Sequence, residues 1–220
     1  MIRVKICGIT DVFHAQAAIE AGADFIGVVF APSPRQVTYE KAREIVAAVK
    51  TQKHDFSVVG VFANMSVATV NAAASFCGLD CVQLSGNETW QYCQQIEKPM
   101  IKAIHISHNW RGEELLLHLE NYHRVLGSKS PIYLLDTFAE HQYGGTGKTF
   151  AWEIASHAAA KFPLVIAGGL HPGNVSQVIA SLRPWGVDVS SGVETNGVKS
   201  VRKIRAFVRA VRSTQQYLLV

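Results

Sequence analysis

Lys5 and Cys7 put a cation and a thiol two positions apart in the stretch Arg3–Thr10. That stretch alternates polar and apolar residues and breaks at Gly8, the pattern of a strand running into a turn. Alternation sets Lys5 and Cys7 on one face and Val4 and Ile6 on the other. A thiol ionises more readily beside a cation, so Lys5 is expected to favour the Cys7 thiolate. Other chemically useful side chains stand at comparable places. Gln83 lies inside the apolar run Cys81–Leu84, Asp136 ends the run Ile132–Asp136, and Asp188 and Ser190 alternate with Val187 and Val189. Each has a bland explanation alone. A lone cysteine serves as a small core hydrophobe, and an aspartate after a strand caps the next element. Chemistry requires that a fold bring them to one place.

Three glycine- or serine-rich segments add a second signal. Gly144-Gly145-Thr146-Gly147, Gly168-Gly169 and Ser190-Ser191-Gly192 each follow an apolar run. Small residues let backbone N–H groups approach an anion closely, which reads as a phosphate cradle; the alternative is three tight turns. The spacing does not match the G-x-x-x-x-G-K-[ST] nucleotide loop. Arg35, in the stiff segment Ala31–Val37 with Pro32 and Pro34, is placed either to hold a carboxylate with its planar fork or to be a solvated loop arginine.

The elements that must position these residues alternate along the whole chain. Helices are expected over Asp11–Ala21, from Thr38 to Lys50, and over Ser66–Phe76, Glu88–Ile96, Gly112–Tyr122, Phe150–Ala160 and Asn174–Leu182, with a basic helix from Lys199. Between them lie short β-branched runs, about eight strand–helix units with no change of composition and no linker. A doubly wound open sheet could use the same alternation. The count and the polar or glycine-rich punctuation after the strands favour a single-domain α/β fold over residues 1–220, a (β/α)8 barrel at the short end of its usual ~250 residues. In that fold the strand C-termini converge on one mouth, and parity points Lys5, Cys7, Gln83, Asp136, Asp188 and Ser190 inward. The apolar tail Tyr217–Val220 is expected to dock.

Composition sets the bounds. Hydrophobic residues make up 48% and charged residues 17% of the 220, an ordinary globular balance. The net charge of +4 suits an anionic small molecule and is too weak and scattered for nucleic acid. The cations Lys199, Arg202, Lys203, Arg205, Arg209 and Arg212 recur at helical spacing and read as a solvated helix face. No signal segment or membrane-length apolar run is present, so a cytoplasmic protein is expected, with no membrane partner and with free thiols at Cys7, Cys77, Cys81 and Cys93. Cys77 and Cys81 read as buried hydrophobes. His105 and His108 read as loop or surface histidines, and no metal site is expected.

Taken together, Lys5-Ile6-Cys7-Gly8-Ile9-Thr10, Ser33-Pro34-Arg35, Val59-Gly60-Val61-Phe62, Val82-Gln83-Leu84, Asp136-Thr137, Gly144-Gly145-Thr146-Gly147 with Phe150 and Trp152, Ala167-Gly168-Gly169-Leu170 and Val187-Asp188-Val189-Ser190-Ser191-Gly192-Val193-Glu194 resemble the phosphoribosylanthranilate isomerases of tryptophan biosynthesis. The motifs cover nearly the whole chain in the family's order. The resemblance implies a (β/α)8 barrel and a cofactor-free Amadori rearrangement of N-(5-phosphoribosyl)anthranilate to 1-(2-carboxyphenylamino)-1-deoxyribulose 5-phosphate. It implies Asp136 as general acid, Cys7 as general base, and Arg35 on the anthranilate carboxylate. Lys5, Gln83 and Asp188 would complete the substrate site. Gly145, Thr146, Gly147, Gly168, Gly169, Ser190, Ser191 and Gly192 would hold the phosphate. Two positions depart from the family pattern: Ser85-Gly86 stands where His-Gly is usual, and Ser200 replaces an aspartate at the start of the last helix. The alternatives are a non-catalytic phosphosugar-binding barrel and a related aminoaldose–ketose isomerase. The histidine-pathway enzyme of that kind resembles two fused half-barrels and carries Asp in place of Cys7. Monomer and homodimer both remain open.

Overall fold

The computed structural model describes residues 1–51, 55–105, 112–136 and 155–217. The strands are β1 (Arg3–Cys7), β2 (Phe25–Val29), β3 (Ser57–Phe62), β4 (Cys81–Leu84), β5 (Met100–His105), β6 (Ile132–Asp136), β7 (Leu164–Ala167) and β8 (Gly186–Val189). They pair in chain order, all parallel, and β8 returns to β1, so the sheet is a closed barrel rather than an open doubly wound one. Around it lie α1 (Val12–Glu20), α2 (Tyr39–Val49), α3 (Val67–Cys77), the short α4 (Trp90–Cys93), α5 (Gly112–Leu126), α6 (155–161), α7 (Val175–Leu182) and α8 (Val201–Tyr217). Asp11, Thr38 and Ser66 cap α1, α2 and α3 by accepting hydrogen bonds from His14 N, Lys41 N and Thr69 N. Each cap satisfies a backbone donor that the helix itself leaves open.

Strand parity divides the core in two. Val4, Ile6, Ile26, Val28, Val58, Phe62, Val82, Leu84, Leu135, Ile166 and Val187 face the helices in one large cluster. Burying a Val, Ile or Leu stabilises the fold by about 1.5–3 kcal/mol each, so this outer layer is its main support. The inward positions Val59, Cys81, Ile101, Ala103, Leu134, Val165 and Ala167 form a separate apolar plug. On the β1–β8 side the interior is charged instead, with Lys5 paired to Asp188. Gly27 on β2 leaves the space this needs: a Cβ there would lie 2.9 Å from Cys7 Sγ and 3.3 Å from Lys5 Nζ.

Several expectations change. The helix expected over Glu88–Ile96 is only Trp90–Cys93; Glu88 lies outside it, buried where it accepts from Asn64 N and Gly86 N, and Thr89 caps the helix instead. The helix expected to end at Tyr122 continues to Leu126, whose side chain extends the buried stripe of Leu115, Leu119 and Tyr122. The last helix starts at Val201, with Ser200 Oγ accepting from Lys203 N at 3.5 Å. Lys199 precedes it as a buried strand residue, not a member of a solvated face. Arg212 is not solvated either, since its guanidinium bonds Ile2 O, Gly22 O and Asp24. Tyr217 is exposed rather than docked, and the rest of the tail lies outside the described residues. Cys77 and Cys81 are buried free thiols, as read from the sequence.

Candidate active site

Cys7 ends β1, and Gly8 follows at φ 74°, in the left-handed region that glycine enters without strain. A Cβ on Gly8 would also collide with Arg35 Cδ, so the arginine stem lies directly over the glycine. At the barrel mouth a cavity of about 320 Å³ is lined by Cys7, Gln83, Ser85, His105, Asp136 and Asp188, with Gly168, Gly169, Leu170, Ser190 and Ser191 along one side. This is the size of a small-molecule site. Cys7 and Asp136 reach it from β1 and β6, separated around the ring by β7 and β8. The inward expectations for Cys7, Gln83, Asp136, Asp188 and Ser190 therefore meet in one cavity. Gly145, Thr146 and Gly147 lie outside the described residues.

Lys5 and Arg35 are placed differently. Lys5 is 2% exposed and lies outside the cavity wall, its Nζ 3.2 Å from Asp188 Oδ2 and hydrogen-bonded to Cys7. Burial works against its charge, yet Asp188 and Cys7 together outweigh burial and hold its pKa above the ordinary value. For Cys7 the balance runs the other way. Burial raises its pKa, Lys5 pulls it down, Asp188 pushes it up, and the sum is a thiol raised above 9.0. Burial likewise raises Asp188 against the pull of Lys5. Arg35 also lies outside the cavity wall, its stem over Gly8 and its Nε and Nη2 on Glu194 Oε1 and Oε2 at 2.6 and 2.7 Å.

Two polar atoms of residues lining the cavity are left over. Gln83 donates through Nε2 to Ser85 Oγ at 3.0 Å, and Asp188 accepts from Lys5 through Oδ2. Among the described residues, Gln83 Oε1 and Asp188 Oδ1 are buried without a hydrogen-bond partner. A buried acceptor left unmade costs about 1–3 kcal/mol, so a ligand hydroxyl donating to either is favoured. Among the described residues no group of three or more His, Cys, Asp or Glu side chains could hold a metal ion.

Sequence reasoning missed three residues here. His105, read as a loop or surface histidine, is the last residue of β5, faces the cavity beside Asp136 in register, and donates from Nε2 to Ser85 O at 2.9 Å. Parity carried through Ile101 and Ala103 would have found it. The chain thus has an imidazole at its mouth from β5, although Ser85 stands after β4. Glu194 and Lys199 were missed because the hairpin holding them was not read. Here β9 (Glu194–Thr195) pairs antiparallel with β10 (Val198–Lys199) around Asn196 and Gly197, at φ 52° and 78°. Asn-Gly is the strongest short signal for such a two-residue turn.

Comparison with known proteins agrees with this geometry. Residues 4–210 match the family model for N-(5'-phosphoribosyl)anthranilate (PRA) isomerase. The N-(5'-phosphoribosyl)anthranilate isomerase of Dehalococcoides mccartyi is 46% identical over 212 residues, covering 96% of each chain. That of a Roseiflexus species is 43% identical over 221 residues, covering 98% of this chain and all of its own. The crystal structure of phosphoribosyl anthranilate isomerase from Thermotoga maritima superposes with a TM-score of 0.82 at 37% identity, over 97% of this chain and 100% of that one. A crystal structure of a phosphoribosyl anthranilate isomerase in complex with reduced 1-(o-carboxyphenylamino)-1-deoxyribulose 5-phosphate has a TM-score of 0.80 at 35% identity, over 97% of this chain and 100% of that one. The chain belongs to the N-(5'-phosphoribosyl)anthranilate isomerase family.

Proposed function

We propose that Cys7 and Asp136 act as general base and general acid in the isomerisation of N-(5'-phosphoribosyl)anthranilate that this family performs in tryptophan biosynthesis. The observation that carries the reading is their convergence on one cavity, lined also by Gln83 and Asp188, each of which has one buried oxygen without a partner, Gln83 Oε1 and Asp188 Oδ1. A ribose offers hydroxyl donors to both.

In this reading Asp136 gives its proton to the ribose ring oxygen. The ring opens, and the nitrogen lone pair forms the C1'=N bond of a protonated Schiff base. Cys7, as thiolate, takes the proton from C2'. The released electron pair forms C1'=C2' and neutralises the nitrogen, giving an enolamine. Loss of the enol proton and protonation of C1' give the ketone. Arg35 takes the anthranilate carboxylate, and the segments Gly168-Gly169 and Ser190-Ser191-Gly192, with 145–147, take the phosphate. No described helix is long and apolar enough to cross a membrane, and the free buried thiols suit the reducing cytoplasm proposed for the chain.

The test follows substrate fluorescence as it disappears on turnover. Cys7→Ala and Asp136→Ala should each lower kcat by about 10²–10⁴-fold, the usual worth of a positioned acid or base, while still binding a reduced product analogue. Near-normal kcat in either variant removes that residue from the mechanism. Tight analogue binding by the unaltered protein without turnover identifies a phosphosugar binder instead.

A further inference from the structure

Arg35 has five N–H donors, and two are committed to Glu194. The bond is bidentate through Nε and Nη2, which occupies one side of the planar fork. Among the described residues Nη1 makes no hydrogen bond, so the Nη1/Nη2 end retains a second pair of parallel donors. We infer that Glu194 is a positioning residue for substrate recognition: by gripping the side of Arg35 it aims the end of the guanidinium at the substrate's carboxylate. This rests on the proposed reading that Arg35 meets that carboxylate.

Glu194 is well fixed for the purpose. Its side chain is buried, and Lys199, its cross-strand partner in the β9–β10 hairpin, donates to Oε1 at 2.5 Å. Lys199 Nζ is in turn anchored on Ser190 O at 3.0 Å and Ser190 Oγ at 3.3 Å, at the end of β8. Lys203 Nζ donates to the Glu194 carbonyl. The arginine arrives from the other side of β1, on the segment after β2. Its backbone N donates to Ser33 Oγ at 3.1 Å, its neighbour Gln36 bridges to Val29, and its stem lies over Gly8. A long side chain that would lose rotamer freedom on binding has already lost it on folding.

Charge explains why Glu194 does not simply neutralise the arginine. Alone, the Arg35–Glu194 pair would carry no net charge and attract an anion poorly. Lys199 contributes a second cation to the same carboxylate, so the three side chains together keep one positive charge for the ligand. Arg35 and Lys199 also hold Glu194 below the ordinary glutamate pKa despite its burial, so it stays ionised near neutral pH.

Two probes test this by calorimetry: reduced 1-(2-carboxyphenylamino)-1-deoxyribulose 5-phosphate, and the same molecule without its ring carboxylate. Glu194→Gln should raise Kd for the carboxylated probe about tenfold and leave the other unchanged, with KM rising and kcat nearly constant. Equal weakening of both probes marks a merely structural residue and overturns the inference. Tighter binding of the carboxylated probe also overturns it, because Glu194 then competes with the ligand. If the Gln variant does not fold, Glu194→Asp, which keeps the charge facing Lys199 but shortens the reach to Arg35, is read in the same way. Arg35→Ala separates the two levels. Loss confined to the carboxylated probe upholds the role of Arg35, and Glu194 is then judged by its own variants. Equal loss for both probes overturns the role of Arg35 and the inference together.

Discussion

Two influences of opposite sign meet at Cys7. Burial raises its proton affinity, the Lys5 ammonium lowers it, and burial prevails. Lys5 pulls toward the thiolate, as expected from the sequence, but the net shift is upward, toward the thiol. Iodoacetamide should therefore alkylate Cys7 slowly near neutrality and faster as pH rises past the ordinary thiol value of 9.0. Lys5→Met should move that profile further up, with Cys7→Ala as the blank for Cys77, Cys81 and Cys93. An unmoved profile would show that the ammonium does not tune the thiol. Cys7, Gln83, Asp136 and Asp188 were legible in the sequence because they share one parity on short strands, and a barrel has only one interior. Glu194 and Lys199 were not, because their burial comes from each other and from Arg35, which lies 159 residues from Glu194 in the chain.

Elements are joined by a second buried pair, on the outer side of the barrel. Lys102 on β5 occupies an outward, otherwise apolar position and is 3% exposed. Its Nζ donates to Leu84 O at 3.3 Å, Gly86 O at 2.6 Å and Glu88 Oε2 at 2.8 Å. Glu88 also accepts from Asn64 N and Gly86 N. The pair therefore pins the turn after β4, which carries Ser85 and steadies Gln83. Lys102→Met leaves a buried carboxylate and two carbonyls without their cation, so it should cost about 3–5 kcal/mol in urea unfolding. Adding Glu88→Gln should cost less than the sum of the single changes, since the uncompensated charge is gone. A strictly additive pair would show that the two side chains act independently. This is also why the helix boundary was misread: apolar spacing alone continues through Glu88, and only the tertiary cation and the backbone donors show that it turns away.

Alternation and polar punctuation were enough to indicate a barrel, whereas closure depends on β1 meeting β8, which no local pattern encodes. Two carboxylates help hold the closed molecule at neutral pH. Glu88 and Glu194 are both buried, which works against their charge, but the hydrogen bonds and cations around them win and lower both pKa values from 4.5. A carboxyl that binds its proton more weakly folded than unfolded contributes stability above 4.5 and loses it as pH falls through the folded value. The urea midpoint should therefore drop between about pH 6 and about pH 3.5, and less so in Glu88→Gln. An equal drop in that variant would place the acid sensitivity elsewhere.

The Lys5–Asp188 contact spans 183 residues of chain, and Asp188 lines the same cavity as Cys7. On a ribosome adding roughly 5–20 residues per second, Asp188 emerges about 10–40 s after Lys5. For that interval Cys7 has Lys5 beside it in β1 but neither Asp188 nor the β8 wall. A thiol buried in the finished barrel is therefore among the first residues made and waits for nearly the whole chain before its surroundings are complete.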